Sequence, residues 1–427
     1  MWYHLYMQKE RLIVNGGKEL AGAIRVSGAK NAMLKLIAAA ILTPELCTID
    51  NVPRIVDVNL MLQVIEHLGA QTSFDEQGVL HIDCSGMNPV DTPYNLVRQM
   101  RASISVMGPL LARFGRAKVA MPGGCNIGSR KIDLHIKGLR ELGVDFNFEH
   151  GYIEARADRM KGADISLAFA SVGATENIMM AAVAAEGVTR IENAAREPEI
   201  QDLAGFLRAL GVPIRGEGTS TVEIEGGAEL HGTDYRVIGD RIEAGTYVMA
   251  GAIAGGDLTV EGIAPPHLGI VLDKLGEIGV NLDTSADSVR VRSSECVCAD
   301  ICTLPFPGFP TDLQPQLMVL LSLASGTSIL TENIFESRFM FVDELNRMGC
   351  DIRIEGHHAI IRGIPGLSGA EVWAPDLRGG AALVLAGLAA EGTTEICDIY
   401  HIDRGYERLE EKLQTVGASI TRLNNGK

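Results

Sequence analysis

SVGATENIMMAAVAAEGVTRIEN, residues 171–193, opens on a polar cluster, runs through small apolar residues and closes on a short β-like stretch. The same plan recurs five more times. AKNAMLKLIAAAILTPELCTIDN occupies 29–51, RASISVMGPLLARFGRAKVAM 101–121 and RIEAGTYVMAGAIAGGDLTVEG 241–262. TDLQPQLMVLLSLASGTSILTEN occupies 311–333 and DLRGGAALVLAGLAAEGTTEICD 376–398. Alanine, leucine and methionine dominate for about three turns in each copy, and these residues are apolar nearly all round. That composition predicts buried helices. The alternation in Thr189-Arg190-Ile191-Glu192 and Thr259-Val260-Glu261 predicts strands.

Between the copies lie amphipathic segments, such as 203–210 and 267–278, each followed by a glycine: Gly69, Gly143, Gly211, Gly279, Gly349 and Gly417. Their separations are 74, 68, 68, 70 and 68 residues. So regular a period predicts one supersecondary unit copied six times. The glycines fit helix C-terminal caps, and strand pairs follow, such as 352–354 and 359–361 joined across 355–358. The buried character of these helices favours three units closing into a domain with apolar helices inside and sheets outside, over sheets covered by helices. Six units divide three plus three, with GGAELHGTDYRV at 226–237 as the linker and the second set starting near Arg241.

A chain of 427 residues is long enough for two domains with substantial cores. Its 46% hydrophobic and 22% charged residues are those of an ordinary α/β protein. A net charge of −16 argues against a nucleic-acid or anionic-membrane binder but leaves room for a small anionic substrate. No apolar run approaches the ~20 residues that span a bilayer, and 381–390 reads as a buried helix. MWYHLYMQKER lacks the basic start and apolar core of a signal peptide, so a cytoplasmic location is expected. Eight scattered cysteines fit reduced thiols. Cys296, Cys298 and Cys302 lack the four-ligand spacing of a zinc site, and no metal or cofactor is expected.

One loop carries reactive chemistry. In MPGGCNIGSR, 121–130, Cys125 sits at a glycine-rich tip with Arg116, Lys118, Arg130 and Lys131 nearby. An electropositive tip raises thiolate character and reactivity. The alternative is a surface loop with a chance cysteine.

At this loop the chain resembles the UDP-N-acetylglucosamine 1-carboxyvinyltransferases, of the enolpyruvyl transferase family. The likeness runs from about residue 11 to the C-terminus. It rests on SGAKNA at 27–32, MRAS at 100–103, PGGCNIGSR at 122–130, SVGAT at 171–175, ENAAREPEI at 192–200, FPTD at 309–312, FESRF at 335–339 and HIDRGYE at 401–407. The resemblance implies transfer of the enolpyruvyl group of phosphoenolpyruvate to the 3′-hydroxyl of UDP-N-acetylglucosamine, with release of phosphate. That is the first committed step of peptidoglycan synthesis, and it bears on cell-wall biogenesis, cell shape and cell division. The implied fold is a two-domain inside-out α/β barrel with the active site between the domains. Residues 30–238 form the first, and 1–29 with 239–427 the second.

The resemblance also implies roles. Cys125 acts as general acid or forms an adduct with phosphoenolpyruvate, and is the thiol that fosfomycin alkylates. Asp312 is the base at the sugar hydroxyl. Lys30, Arg130 and Arg404 contact phosphoenolpyruvate. Asn31, Arg101, Ser171, Val172, Gly173 and Ile334 contact the nucleotide sugar, and Arg130, Lys131, Ile132, Asp133 and Leu134 form the uridine segment. Arg338 and Arg378 stand near the site. Independently of the family, Ser171-Val172-Gly173 opens a helix whose N–H groups suit a diphosphate, and a cation at Lys30 opposes the helix dipole unless an anion lies beside it. The bland readings are a solvated charge for Lys30, a helix cap for Asp312 with Thr311, and a solvated connection for ENAAREPEI. The chain departs from some family members at Ser105, Phe169-Ala170 and Lys131.

The alternatives are a 5-enolpyruvylshikimate-3-phosphate synthase-like transferase, an RNA 3′-phosphate cyclase-like protein and an inactive nucleotide-sugar-binding regulator. The oligomeric state is not legible.

Overall fold

The computed structural model describes residues 10–88, 92, 96, 100–121 and 132–424, without the side chains of Arg101 and Ala102. Cys125, Arg130 and Lys131 lie outside the described residues. The chain gathers into two compact units. One runs from Gly28 to Ile238, and the other joins the residues up to Ser27 to those from Gly239 onward. Each has its own apolar core.

The repeat is visible as helix starts. Lys30–Ala39, Val172–Ala182, Arg241–Ala254 and Leu377–Ala389 are α-helices beginning at or one residue past the predicted points. Local chemistry places three of these starts. Ser171 Oγ accepts from Ala174 N–H at 3.4 Å, Asp240 Oδ1 from Ile242 and Glu243 N–H at 2.8 and 3.0 Å, and Asp376 Oδ1 from Arg378 and Gly379 N–H at 2.8 and 3.1 Å. Each side chain satisfies donors that a helix leaves unpaired at its N-terminus. Two copies differ from expectation. Arg101–Val106 and Thr311–Leu313 are 3-10 turns, and the α-helices follow only at Met107–Phe114 and Gln314–Leu323.

These helices are buried nearly all round, as their composition requires. In the unit completed by the C-terminus, Arg241–Ala254, Gln314–Leu323 and Leu377–Ala389 each pack on the other two. Small residues permit this closeness: a Cβ on Gly245 would lie 2.5 Å from Leu313 Cδ1. In the other unit Met107–Phe114 packs on Val172–Ala182, and a Cβ on Gly108 would lie 2.3 Å from Asn177 O.

The described residues form six sheets. Five share one plan: a parallel pair, then two antiparallel pairs. Asp351–Glu355 and His358–Arg362 pair antiparallel, as expected of 352–354 and 359–361, and the strands extend into the expected connection to set Glu355 opposite His358. The strand Glu10–Asn15 lies between Thr393–Cys397 and Ser419–Asn424, burying Leu12 and Val14. Leu20–Arg25 runs parallel to Gly256–Glu261. The start of the chain therefore completes sheets at its far end. The linker expected over 226–237 needs correction, because Asp234–Arg236 is a strand paired parallel to Thr48–Asp50.

All six repeat glycines adopt positive φ, from 92° at Gly143 to 108° at Gly211. At Gly69 the N–H donates to Glu66 O and the next N–H reaches back to Ile65 O, and the corresponding pair of bonds forms at the other five. These bonds use carbonyls that the helix end leaves open, and the conformation they need is one that Cβ disfavours.

Candidate active site

Lys30 is the first residue of its helix, and its Nζ lies 2.8 Å from Asp57 Oδ2. The side chains are only 10% and 3% exposed, which corrects the reading of Lys30 as a solvated charge. Asp57 stands in the first turn of Val56–His67, where the helix dipole favours an anion. It offsets the misplaced cation at Lys30 and holds it. Asn31 is half-buried beside it.

Apart from Ile334, which belongs to the other unit, the nucleotide-sugar candidates sit at the ends of neighbouring elements in the same unit. Ser171, Val172 and Gly173 are half-buried at a helix start, where Ser171 spends its hydroxyl on the cap. Ile132 and Leu134 are half-buried and Asp133 exposed at the start of Asp133–Glu141. Arg101 begins a 3-10 turn. Of the positions that depart from some family members, Ser105 is buried and Phe169 exposed. Asn177 joins three of these elements. Its Oδ1 accepts from Gly108 N–H at 2.7 Å, and its Nδ2 faces Ile104 O at 3.2 Å and His135 Nδ1 at 3.1 Å. A pocket of about 580 Å³ adjoins Ile132 and Asp133, but it opens between Met121, Lys137, Arg140 and Phe148, without Lys30 or the Ser171 helix start.

ENAAREPEI also needs correction. Glu197 and Glu199 are buried, as are Asp202 and Glu176 nearby. Burial pushes the Glu176 carboxyl up to about 7, with Lys35 at 2.6 Å opposing and Glu199 and Glu197 adding to the shift. Burial likewise pushes Asp202 up to about 7, against the hydrogen bond from Tyr235.

In the other unit, Asp312 is held by two arginines. Its Oδ1 accepts from Arg338 Nη2 at 2.9 Å and its Oδ2 from Arg378 Nη2 at 3.1 Å. The arginines are 2% and 3% exposed and the aspartate 24%. The cap expected of Asp312 with Thr311 is not formed: no side chain caps this helix start, and Thr311 Oγ1 donates instead to Glu332 Oε2 at 2.9 Å. Burial works against the Arg378 charge, yet Tyr406, Asp312 and Asp240 outweigh it and push its pKa up. Behind Arg378, the Tyr406 hydroxyl lies 2.9 Å from Thr246 Oγ1 and 3.1 Å from Gln316 Nε2. A carboxylate fixed between two permanent cations, yet partly open, can accept a proton from a hydroxyl brought to it.

Glu332 positions the next segment. It is buried, and its Oε1 accepts from Ile334 and Phe335 N–H at 2.8 and 3.1 Å, so it shapes the turn that carries Ile334 and leads to Arg338. Arg404 is half-buried at the end of Tyr400–Asp403, and Asp403 is bound by Arg422 at 2.6 and 2.9 Å. Sequence reading missed Asp57, Asn177, His135, Glu332 and Tyr406. Only Tyr406 lay within a quoted family string that marked its surroundings. Among the described residues, Glu371, Glu395 and Cys397 bring three donor atoms within 4.8 Å of one another, but Arg11 already pairs with Glu395. No helix of the described residues is long and apolar enough to cross a membrane.

Comparison with known proteins shows the family and the fold. The family model for EPSP synthase (3-phosphoshikimate 1-carboxyvinyltransferase) matches residues 14–413. UDP-N-acetylglucosamine 1-carboxyvinyltransferase 1 of Caldanaerobacter subterraneus is 52% identical, with 97% of this chain and 100% of that protein covered. The UDP-N-acetylglucosamine 1-carboxyvinyltransferase of Mycobacterium tuberculosis is 51% identical, covering 97% and 99%. Among solved structures, the enolpyruvyl transferase NikO from Streptomyces tendae superposes with a TM-score of 0.87 at 26% identity, covering 97% and 98%. EPSP synthase from Acinetobacter baumannii superposes at 0.75 with 20% identity, covering 97% and 99%, a likeness of fold. With half of its residues shared along nearly its whole length, the chain belongs to the UDP-N-acetylglucosamine 1-carboxyvinyltransferases of the enolpyruvyl transferase family.

Proposed function

We propose that this chain transfers the enolpyruvyl group of phosphoenolpyruvate to the 3′-hydroxyl of UDP-N-acetylglucosamine and releases phosphate. The observation that carries this reading over a shikimate-phosphate enzyme is the 52% identity along the full length of a UDP-N-acetylglucosamine 1-carboxyvinyltransferase, against 20% for an EPSP synthase.

The reaction adds and then eliminates. A proton joins the terminal carbon of phosphoenolpyruvate while the sugar oxygen, losing its own proton, bonds to the adjacent carbon. Loss of that terminal proton and of phosphate then restores the double bond on the transferred group. Asp312 takes the hydroxyl proton as it attacks. The two arginines that hold its oxygens fix its direction. Cys125 supplies the proton to carbon or adds reversibly, and it is the site of fosfomycin alkylation. Lys30, Arg130 and Arg404 hold the anionic substrate. Asn31, Arg101, the 130–134 segment, Ser171, Val172, Gly173 and Ile334 hold the nucleotide sugar, with Arg338 and Arg378 fixing the base. We place the reaction in the cytoplasm, at the start of peptidoglycan synthesis.

Mixing the protein with both substrates tests this directly. Phosphate release should saturate with UDP-N-acetylglucosamine, and shikimate 3-phosphate should not replace it. Release with the shikimate substrate alone would favour the sister reaction, and no release with either would favour an inactive binder. Fosfomycin should add once, on the peptide containing Cys125. An adduct at Cys296 or Cys298 with Cys125 untouched would remove Cys125 from that role.

A further inference from the structure

Asn177 is fully buried, one helical turn beyond Gly173. The orientation of its amide is settled by two backbone groups whose roles cannot change. Gly108 N–H is only a donor, so the atom 2.7 Å from it is the amide oxygen. Ile104 O is only an acceptor, so the atom 3.2 Å from it is the amide nitrogen. That nitrogen has a second hydrogen, and 3.1 Å away lies His135 Nδ1. Nδ1 must therefore accept, and in the neutral ring the proton sits on Nε2. The Cε1–Nε2 edge is the part of the ring beside Gly173, since a Cβ there would meet both atoms at 3.3 Å.

We infer that Asn177 is a positioning residue for nucleotide-sugar binding: it holds His135 as the Nε2–H imidazole beside the Ser171–Gly173 helix start and ties that start to the Ile104 turn and the Asp133–Glu141 helix. The inference rests on the reading of Ser171, Val172 and Gly173 as nucleotide-sugar contacts. A proton on Nε2 presents a donor where an anionic ligand would sit, whereas a proton on Nδ1 would present a lone pair. The same amide couples the Met107–Phe114 helix to the group through Gly108, so one buried side chain sets the register of elements that carry Arg101, Asp133 and Gly173. Substitution of Asn177 should weaken binding of the nucleotide sugar and leave that of phosphoenolpyruvate nearly unchanged.

Nitrogen-15 spectroscopy of histidine-labelled full-length protein tests the first step without any variant. His135 should show an unprotonated Nδ1 and a protonated Nε2, and its Nε2 signal should move when UDP-N-acetylglucosamine is added without phosphoenolpyruvate. A protonated Nδ1, or an Nε2 signal unmoved at saturating nucleotide sugar, would overturn the inference. Asn177→Asp tests the second step. It keeps an acceptor for Gly108 N–H but removes both donors and drives the proton to Nδ1. The KM for UDP-N-acetylglucosamine should rise about tenfold or more, while kcat and the KM for phosphoenolpyruvate stay within about twofold. A switched tautomer with an unchanged KM for the nucleotide sugar would also overturn it. Phosphate release by the unaltered protein reports separately on the proposed reaction, and its absence would leave the tautomer result standing.

Discussion

At the residue scale the decisive side chain is Asp312, whose two oxygens are each taken by a buried arginine. Asp312→Asn keeps the shape but turns an NH2 group toward one guanidinium and leaves two buried cations short of their counter-charge. Turnover should fall by roughly 10²–10⁴-fold if Asp312 takes the hydroxyl proton, and the melting temperature should fall too, because breaking a buried pair from one side is costly. Separate kcat and melting measurements resolve the two effects, and near-normal kcat in a folded variant would remove Asp312 from the chemistry. Asp202 and Glu176 make an opposite prediction about pH. Their carboxyls are pushed up to about 7 from ordinary values of 3.8 and 4.5. The folded state then binds more protons than the unfolded chain between about pH 4 and 7, so their contribution makes stability fall as pH rises through that window. Asp202→Asn should flatten this slope and raise stability at pH 8 relative to pH 5 in urea unfolding. An unchanged slope would show that Asp202 titrates normally.

At the scale of the elements, helix ends repeat a single device whose surroundings differ. Gly349 has φ 100°, and the nearest atom to an added Cβ is Ser368 Oγ at 4.0 Å. Gly279 has φ 99°, but its Cβ would lie 2.8 Å from Glu295 O. Gly349→Ala should therefore cost about 1–2 kcal/mol for the left-handed backbone alone, and Gly279→Ala measurably more, by denaturant unfolding. Equal costs would mean that the chain near Glu295 yields freely. At the other end of a helix, Asp376→Ala should cost about 1 kcal/mol, since Asp376 caps two N–H groups of Leu377–Ala389. These ends were legible in the sequence because capping and positive φ act within a few residues. The two 3-10 starts were missed, although these two copies alone carry a proline in the apolar run, Pro109 and Pro315, which suits the first turn of an α-helix and so marks the later starts at Met107 and Gln314.

At the scale of the molecule, the first strands of the chain belong to the unit that its last residues complete. Removing residues 10–27 would leave Thr393–Cys397 and Ser419–Asn424 without the strand between them, and Gly256–Glu261 without its parallel neighbour. Calorimetry of that deletion should show the transition of this unit lost while the unit from Gly28 to Ile238, with its own core, still melts cooperatively. Two intact transitions would contradict the topology. The sequence by itself determined the six-fold period, the buried helices and the glycine caps, because each depends on propensity and burial patterns within one element. The family strings also marked Lys30, Asp312 and Arg338, and the wider resemblance marked Arg378. Tertiary structure alone decided what those residues touch: Asp57 beside Lys30, two arginines on Asp312, His135 against Asn177. Such pairs join side chains from separate elements, and their protonation and direction follow from burial and from partners that no local pattern specifies.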